Sequence, residues 1–572
     1  MPDDNQKYIL IDGKQIIPVD TKEPEPVETP LDLNPQIVEL IQNFVSGKVD
    51  ENKGFTPIHV DDIAISIAKF YELLRKVVDW KEDAALRRSA IERILKRLLF
   101  SKVSGISPNM PHDPGIISET VASELIRGGH LPNDEVPREY VDKTSVALAK
   151  YLVFLESHTD SQKVLQNVKD RINFVTFLIE IMACEIEDIL SNPVKEKTII
   201  MGMTKLIHDR IKIIPSDAFS PDEVNAQIFI AVCRTLYDLD SSYITYHLLR
   251  FQYPFWQNPD PDQLQELNSS ILSIWKQSDQ VMNHPLSKNL YNICERVDTV
   301  FSLIDDFFQE YKDKPSKIQE IMHLKSKFTE HVSKYYEKRY TSLKKRLFRL
   351  AIFSTLSVFA SNWFTFFVVE IPLAHLFSEG FNGFTAFMDF LIPTLVMFIL
   401  VAIIRAPGLD NYQRVLTTLY DFVYKDEKQI LFDVHVKRNQ NQLLLLILVM
   451  LYLAITLIVF GAVAYIFIAA GLPITSVIFD TFTIALTVFA AVTIRNKSKE
   501  LSVNDKTGFF EFLLDMFSVP VAKVGSFLAA KWKEYNVIAI FFSVVIETPF
   551  NLIIKFVEGW SEFLKERRAE LH

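Results

Sequence analysis

The sequence predicts an all-α protein: a helical cytoplasmic domain followed by a four-helix transmembrane region and C-terminal amphipathic interfacial helices. Three observations support that class. Residues 350–495 of the 572 are almost entirely apolar, apolar side chains recur at three- and four-residue spacing through residues 34–345, and Lys and Arg crowd alternate connections between the apolar runs. The first weighs most, because an ionisable group at bilayer depth costs kilocalories and a helix needs roughly 20 uncharged residues to cross about 30 Å of hydrocarbon. The run from Leu443 to Ala470 contains no Asp, Glu, Lys or Arg. A formal net charge of -10 and a pI near 5.7 argue against bulk attraction to nucleic acid, and the mean hydropathy of +0.13 averages two unlike halves.

Residues 1–33 read as a flexible N-terminal segment. Tyr8 to Ile11 and Ile16 to Ile17 flank Asp12-Gly13, which predicts a short hairpin. Asp20 to Pro30 is rich in Pro and Glu and buries too little surface to offset chain entropy. Residues 34–333 then form the helical domain, with about eight to eleven helices by periodicity. Ile63, Ile67, Phe70, Leu74 and Val77 make one helix face, and Ser220-Pro221-Asp222-Glu223 is a capping sequence. Asp260-Pro261-Asp262 starts another helix, and Pro315-Ser316 precedes a long final one that runs into the apolar region. No fixed repeat period emerges.

Residues 334–349 are a basic juxtamembrane helix end. Lys334, Lys338, Arg339, Lys344, Lys345, Arg346 and Arg349 resist translocation and offer contacts to anionic lipid. Four spans follow within residues 350–495. The connection from Ile371 to Gly383 has no Lys or Arg, whereas the next holds Arg405, Arg414, Lys425, Lys428, Lys437 and Arg438; Gly471-Leu472-Pro473 is charge-free, and Arg495, Lys497 and Lys499 follow the last span. The charge rule therefore puts both termini on the cytoplasmic side of an integral multi-pass protein, in the plasma (inner) membrane. No signal peptide is expected, because Met1 to Asn5 is acidic and Tyr8 to Val19 is interrupted by Asp12, Gly13 and Lys14. Residues 496–572 read as amphipathic helices in the headgroup layer, Val537 to Ile546 being too short to span.

The three cysteines, Cys184, Cys233 and Cys294, lie too far apart for a redox pair or zinc knuckle and suit a reducing compartment. None of the 16 glycines builds a phosphate loop, a dinucleotide fingerprint or a nucleophile elbow. Glu320 and His323 form one ExxH, where a di-iron bundle needs two. The basic helix Leu86 to Arg97 carries Arg87, Arg88, Arg93, Lys96 and Arg97, but Glu92 interrupts it, so a salt-bridged face is expected rather than a phosphate site.

Glu370, Asp389 and Asp480 belong to three different spans, and the topology places them at one end with His375 and Glu379 in the adjoining turn. Carboxylates with an imidazole suit an ion or proton site. The plainer reading, which the sequence favours, wets them at the headgroup boundary. Pro393 is expected to kink the second span. No catalytic residue and no cofactor is expected. The expected function is a non-enzymatic membrane-anchored scaffold or interaction protein, whose cytoplasmic domain binds a protein partner; the alternative is an oligomeric ion or small-solute transporter or channel. The expected partners are the lipid bilayer, that protein and further copies of the chain, with no specific nucleic acid.

Overall fold

The computed structural model describes residues 7–11, 14–19, 29–46, 83–103, 113–133, 136–159, 167–191, 194–215, 218–372, 383–425, 430–435, 442–503 and 509–535. The expected helix face Ile63 to Val77, the turn with His375 and Glu379, and the run Val537 to Ile546 lie outside them. Two compact units emerge: one draws on residues 43–208 and 219–292, here the head, and the other on residues up to 42, 209–218 and 293–536.

In chain order the elements are strands β1 (Lys7–Ile11) and β2 (Lys14–Val19), helices α1 (Pro35–Ser46), α2 (Asp83–Val103), α3 (Pro114–Arg127), α4 (Arg138–Thr159), α5 (Val168–Ser191) and α6 (Val194–His208), strand β3 (Ile211–Ile214), then helices α7 (Pro221–Leu236), α8 (Ser241–Gln252), α9 (Pro261–Met282), α10 (Ser287–Glu295), α11 (Asp298–Glu310), α12 (Ser316–His323) and α13 (Lys325–Thr365). After a π turn (Phe366–Glu370) come α14 (Gly383–Ala402), α15 (Leu409–Val423), strand β4 (Phe432–His435), α16 (Gln442–Ala469), α17 (Ile474–Ser498) and α18 (Phe509–Tyr535). The all-α expectation holds in its main sense; the described residues also include two small two-stranded sheets, β1 with β2, where a short hairpin was expected, and β3 with β4.

The head packs α2 to α5, α8 and α9 around one apolar cluster centred on Tyr151, Phe154, Phe174, Leu178 and Trp256. Its helices begin where the sequence says they should. Ser220 and Glu223 close a reciprocal capping box on α7, and Asp260 does the same with Gln263 on α9, each satisfying amides that the first turn leaves without partners. On α2 the expected salt-bridged face is present: Arg88 pairs with Glu187 at 3.0 Å and Asp240 at 2.8 Å, and Arg97 pairs with Glu124. A buried network sits inside the cluster, where Glu185 accepts from Lys150 (2.9 Å), Tyr151 (2.7 Å) and Trp256 (3.1 Å).

In the second unit, α13 is one continuous helix of 41 residues, so the expected run from the soluble part into the apolar region is a single rod. The connection after α14 is folded rather than a plain loop. Asn411 of α15 donates to the Tyr336 hydroxyl at 3.2 Å and to the Leu501 carbonyl at 2.6 Å, and accepts from the Val503 amide at 2.8 Å. Arg210 donates to the Asp421 carboxylate, with its guanidinium 3.8 Å from the Phe422 ring, and the adjacent β3 pairs in parallel with β4. The segment expected to stay flexible through residue 33 is held from Leu31 onward: its amide donates to His323 at 2.9 Å, and the Asn34 amide donates to Val423 at 2.8 Å.

Three described helices, α13, α16 and α17, contain stretches long and apolar enough to cross a bilayer, where four were expected. The expected second span is the exception. α14 is helical over 20 residues, yet the apolar stretch described within it, Phe387–Ala402, is shorter than a full crossing.

Of the region expected to hold interfacial C-terminal helices, one helix lies within the described residues. α18 is one helix of 27 residues that packs lengthwise and antiparallel on α17, with Asp515 at Arg495 and Gly525 at Ala485. A Cβ at Gly525 would collide with the Ala485 carbonyl and the Phe489 side chain, so glycine permits the close approach. An amphipathic pattern reports an apolar face without saying whether lipid or another helix covers it.

Candidate functional site

Glu370, Asp389 and Asp480 meet inside the bundle formed by α13, α14 and α17. Each arrives by a separate local device. On α13, residues eight positions apart drift by roughly 80° around an ideal helix, which would carry Glu370 away from the face of Asn362. The π turn bonds the Ile371 amide back to Phe366 and accommodates an additional residue, so Asn362, Phe366 and Glu370 are all buried. On α14, Pro393 follows Asp389 by one turn and lacks the amide that would otherwise bond the Asp389 carbonyl. On α17, Ser476 and Asp480 share a face at i and i+4.

Carboxylate oxygens of the three acids lie within 4.8 Å of one another. Glu370, Asp389 and Asp480 are 2%, 1% and 2% exposed, so they are not wetted at a boundary but face one another. On the same helices, Met388, Ile392, Val396, Val477 and Ile484 pack with Phe467 of α16 into an apolar cluster. The single hydroxyl proton of Ser476 goes to Glu370. Neither oxygen of Asp389, nor Oδ2 of Asp480, receives a hydrogen bond from the described residues.

Three carboxylates with one donor cannot all be ionised and bare. At 4.8 Å and an effective dielectric near 20, each ionised pair repels by roughly 3 kcal/mol, and each desolvated oxygen without a donor adds its own penalty. A carboxylate only accepts, so contact among the three requires protons or a metal cation between them. The donor set is oxygen alone, with the Ser476 hydroxyl beside it, which suits hard cations such as Ca²⁺, Mg²⁺ or Mn²⁺. Asn362 Nδ2 and Thr487 Oγ1 are also buried and without hydrogen-bond partners among the described residues. By helical rise they lie about 10–12 Å further along the bundle.

Of the other residues singled out by sequence, His375 lies outside the described residues. Arg339 pairs with Asp306, and Arg346 with Glu500. Lys334, Lys338, Lys344, Lys345 and Arg349 are exposed. The ExxH separates, with His323 donating to the Leu31 carbonyl at 2.8 Å. Sequence reasoning passed over Ser476, Asn362 and Thr487, although each is a polar residue in an apolar run and Ser476 stands one turn from Asp480. Nothing local to residues 362–370 signals the π turn. Comparison of the chain with protein-family models, with curated proteins and with solved structures returns no match.

Proposed function

We propose that this chain is an integral membrane protein that takes a hard cation, in exchange with protons, at Glu370, Asp389 and Asp480, and acts as an ion or small-solute transporter. The supporting observation is the convergence of three buried carboxylates on one another, with a single hydroxyl donor, Ser476, bonded to Glu370. Such an arrangement is unstable without a positively charged guest, and ionisable residues inside membrane bundles serve ions and protons more often than packing. In this reading α14 is the fourth crossing, its 20 helical residues matching about 30 Å of rise. The Lys344 and Arg405 side is cytoplasmic by the charge rule, and the carboxylates lie toward the opposite face. So few helices enclose little space, so the working form is an oligomer.

The test uses the full chain in detergent and in proteoliposomes. Millimolar Ca²⁺, Mg²⁺ or Mn²⁺ should raise the unfolding temperature of the parent, and cation or proton flux should accompany it. The triple variant Glu370→Gln, Asp389→Asn, Asp480→Asn should remain folded, lose the cation response and carry no flux. A parent that neither responds to these cations nor supports flux removes the proposal. The scaffold reading keeps one supporting observation, a head with its own closed core; it gains if the triple variant still captures the same protein partner as the parent.

A further inference from the structure

A cavity of about 990 Å³ opens between α13 and α14 at the end of the bundle away from the carboxylates. We propose that it binds one anionic phospholipid, with the phosphate between Lys344 and Arg405 and an acyl chain along Phe348, Ile352, Leu356 and Phe398. The inference rests on the membrane reading of α13 but not on the cation site.

Charge and shape both select this occupant. The lining holds two cations, Lys344 and Arg405, and no acid, and both lie at the same end of the cavity. Gly408 lies there too. It is the N-cap of α15 and brings no side chain into that end of the cavity; the Asn411 amide is bonded to the Gly408 carbonyl and Asp410 stands in the first turn, so the positive charge of the lining comes from Lys344 and Arg405. From Lys344 the apolar wall runs to Leu356, twelve residues or about 18 Å of helix, a length suited to a glycerol backbone and most of an acyl chain. Phe348, Ile352, Leu356 and Phe398 are 66%, 43%, 56% and 59% exposed. A wall so open on one side and so apolar fits a ligand that reaches it from within the bilayer rather than from water. Basic pockets at the cytoplasmic ends of spans hold lipid headgroups by this chemistry, and the Arg405 fork matches phosphate oxygens.

Native mass spectrometry of the full chain, loaded with phosphatidylglycerol or phosphatidylcholine of identical chains, tests the proposal. The parent should retain one phosphatidylglycerol in preference to phosphatidylcholine. Lys344→Gln and Arg405→Gln should each weaken that preference roughly fivefold, and the double variant should abolish it. Lys334→Gln with Lys338→Gln, on the same helix but outside the cavity, should leave it intact. Ala351→Trp, which fills the wall, should reduce retention of both lipids. No preference in the parent, an unaltered preference in the Lys344/Arg405 double variant, or equal loss in the Lys334/Lys338 control overturns the assignment, as does displacement of the lipid by millimolar inorganic phosphate. The carboxylate triple variant should still hold the lipid, so failure of the cation proposal and failure of this one are separable.

Discussion

In the head, the buried carboxylate of Glu185 accepts from Lys150, Tyr151 and Trp256; in the bundle, of Glu370, Asp389 and Asp480 only Glu370 accepts from Ser476, and both oxygens of Asp389 are without a donor among the described residues. Both groups are shielded from water, and both stand on helices that carry an apolar cluster. The difference is closure. Three donors meet one acceptor group in the head, so that network is complete within the protein and holds α4, α5 and the Trp256 turn in register. In the bundle three acceptor groups stand with one donor, and their contact requires protons or a cation between them. Buried polarity that is satisfied locally organises a fold, whereas buried polarity left unsatisfied marks where a fold awaits a ligand.

That contrast can be broken most directly by removing an acid from each side. Glu185→Ala leaves Lys150 buried without its counter-ion and should cost about 3–5 kcal/mol of head stability, read as a lower denaturant midpoint by tryptophan fluorescence. Asp389→Asn removes a repelling charge and should leave the midpoint in chelator unchanged or raised. Equal losses in the two variants would erase the distinction.

A smaller effect concerns pH. Burial among Tyr243 and Tyr246 pushes His247 down to about 3. Between its unfolded value near 6.5 and that folded value, the unfolded chain binds the proton and the folded chain does not. Head stability is therefore fully present above pH 6.5 and falls as the medium is acidified, by roughly 2 kcal/mol at pH 5. His247→Gln should flatten this slope in unfolding curves taken between pH 7.5 and 5. The smallest effect belongs to a surface pair: Arg346→Ala breaks the half-exposed bridge to Glu500 and should shift stability by about 0.5 kcal/mol or less.

Much of this fold is legible in the chain because its determinants are local. Ser220 with Glu223 and Asp260 with Gln263 announce helix starts three residues apart, and the absence of charge from Leu443 to Ala470 announces a helix suited to a bilayer. The parallel pairing of β3 with β4 is not legible, since each strand is only four residues long and its partner lies more than 200 positions away. Nor is the lengthwise seat of α18, which turns on Gly525 meeting Ala485 rather than on any amphipathic pattern.

The candidate site divides the same way. Composition and periodicity alone determined that three acids stand in three apolar helices, because the cost of charge in hydrocarbon makes such residues conspicuous along a single line of text. Whether they face headgroups or one another depended on the rotation of each helix about its axis. That rotation is set by the π turn before Glu370, by packing around Pro393 and by the contact of Ser476 with Glu370. It is decided only when three distant segments pack together, because the energy that fixes it comes from surfaces that no single segment possesses.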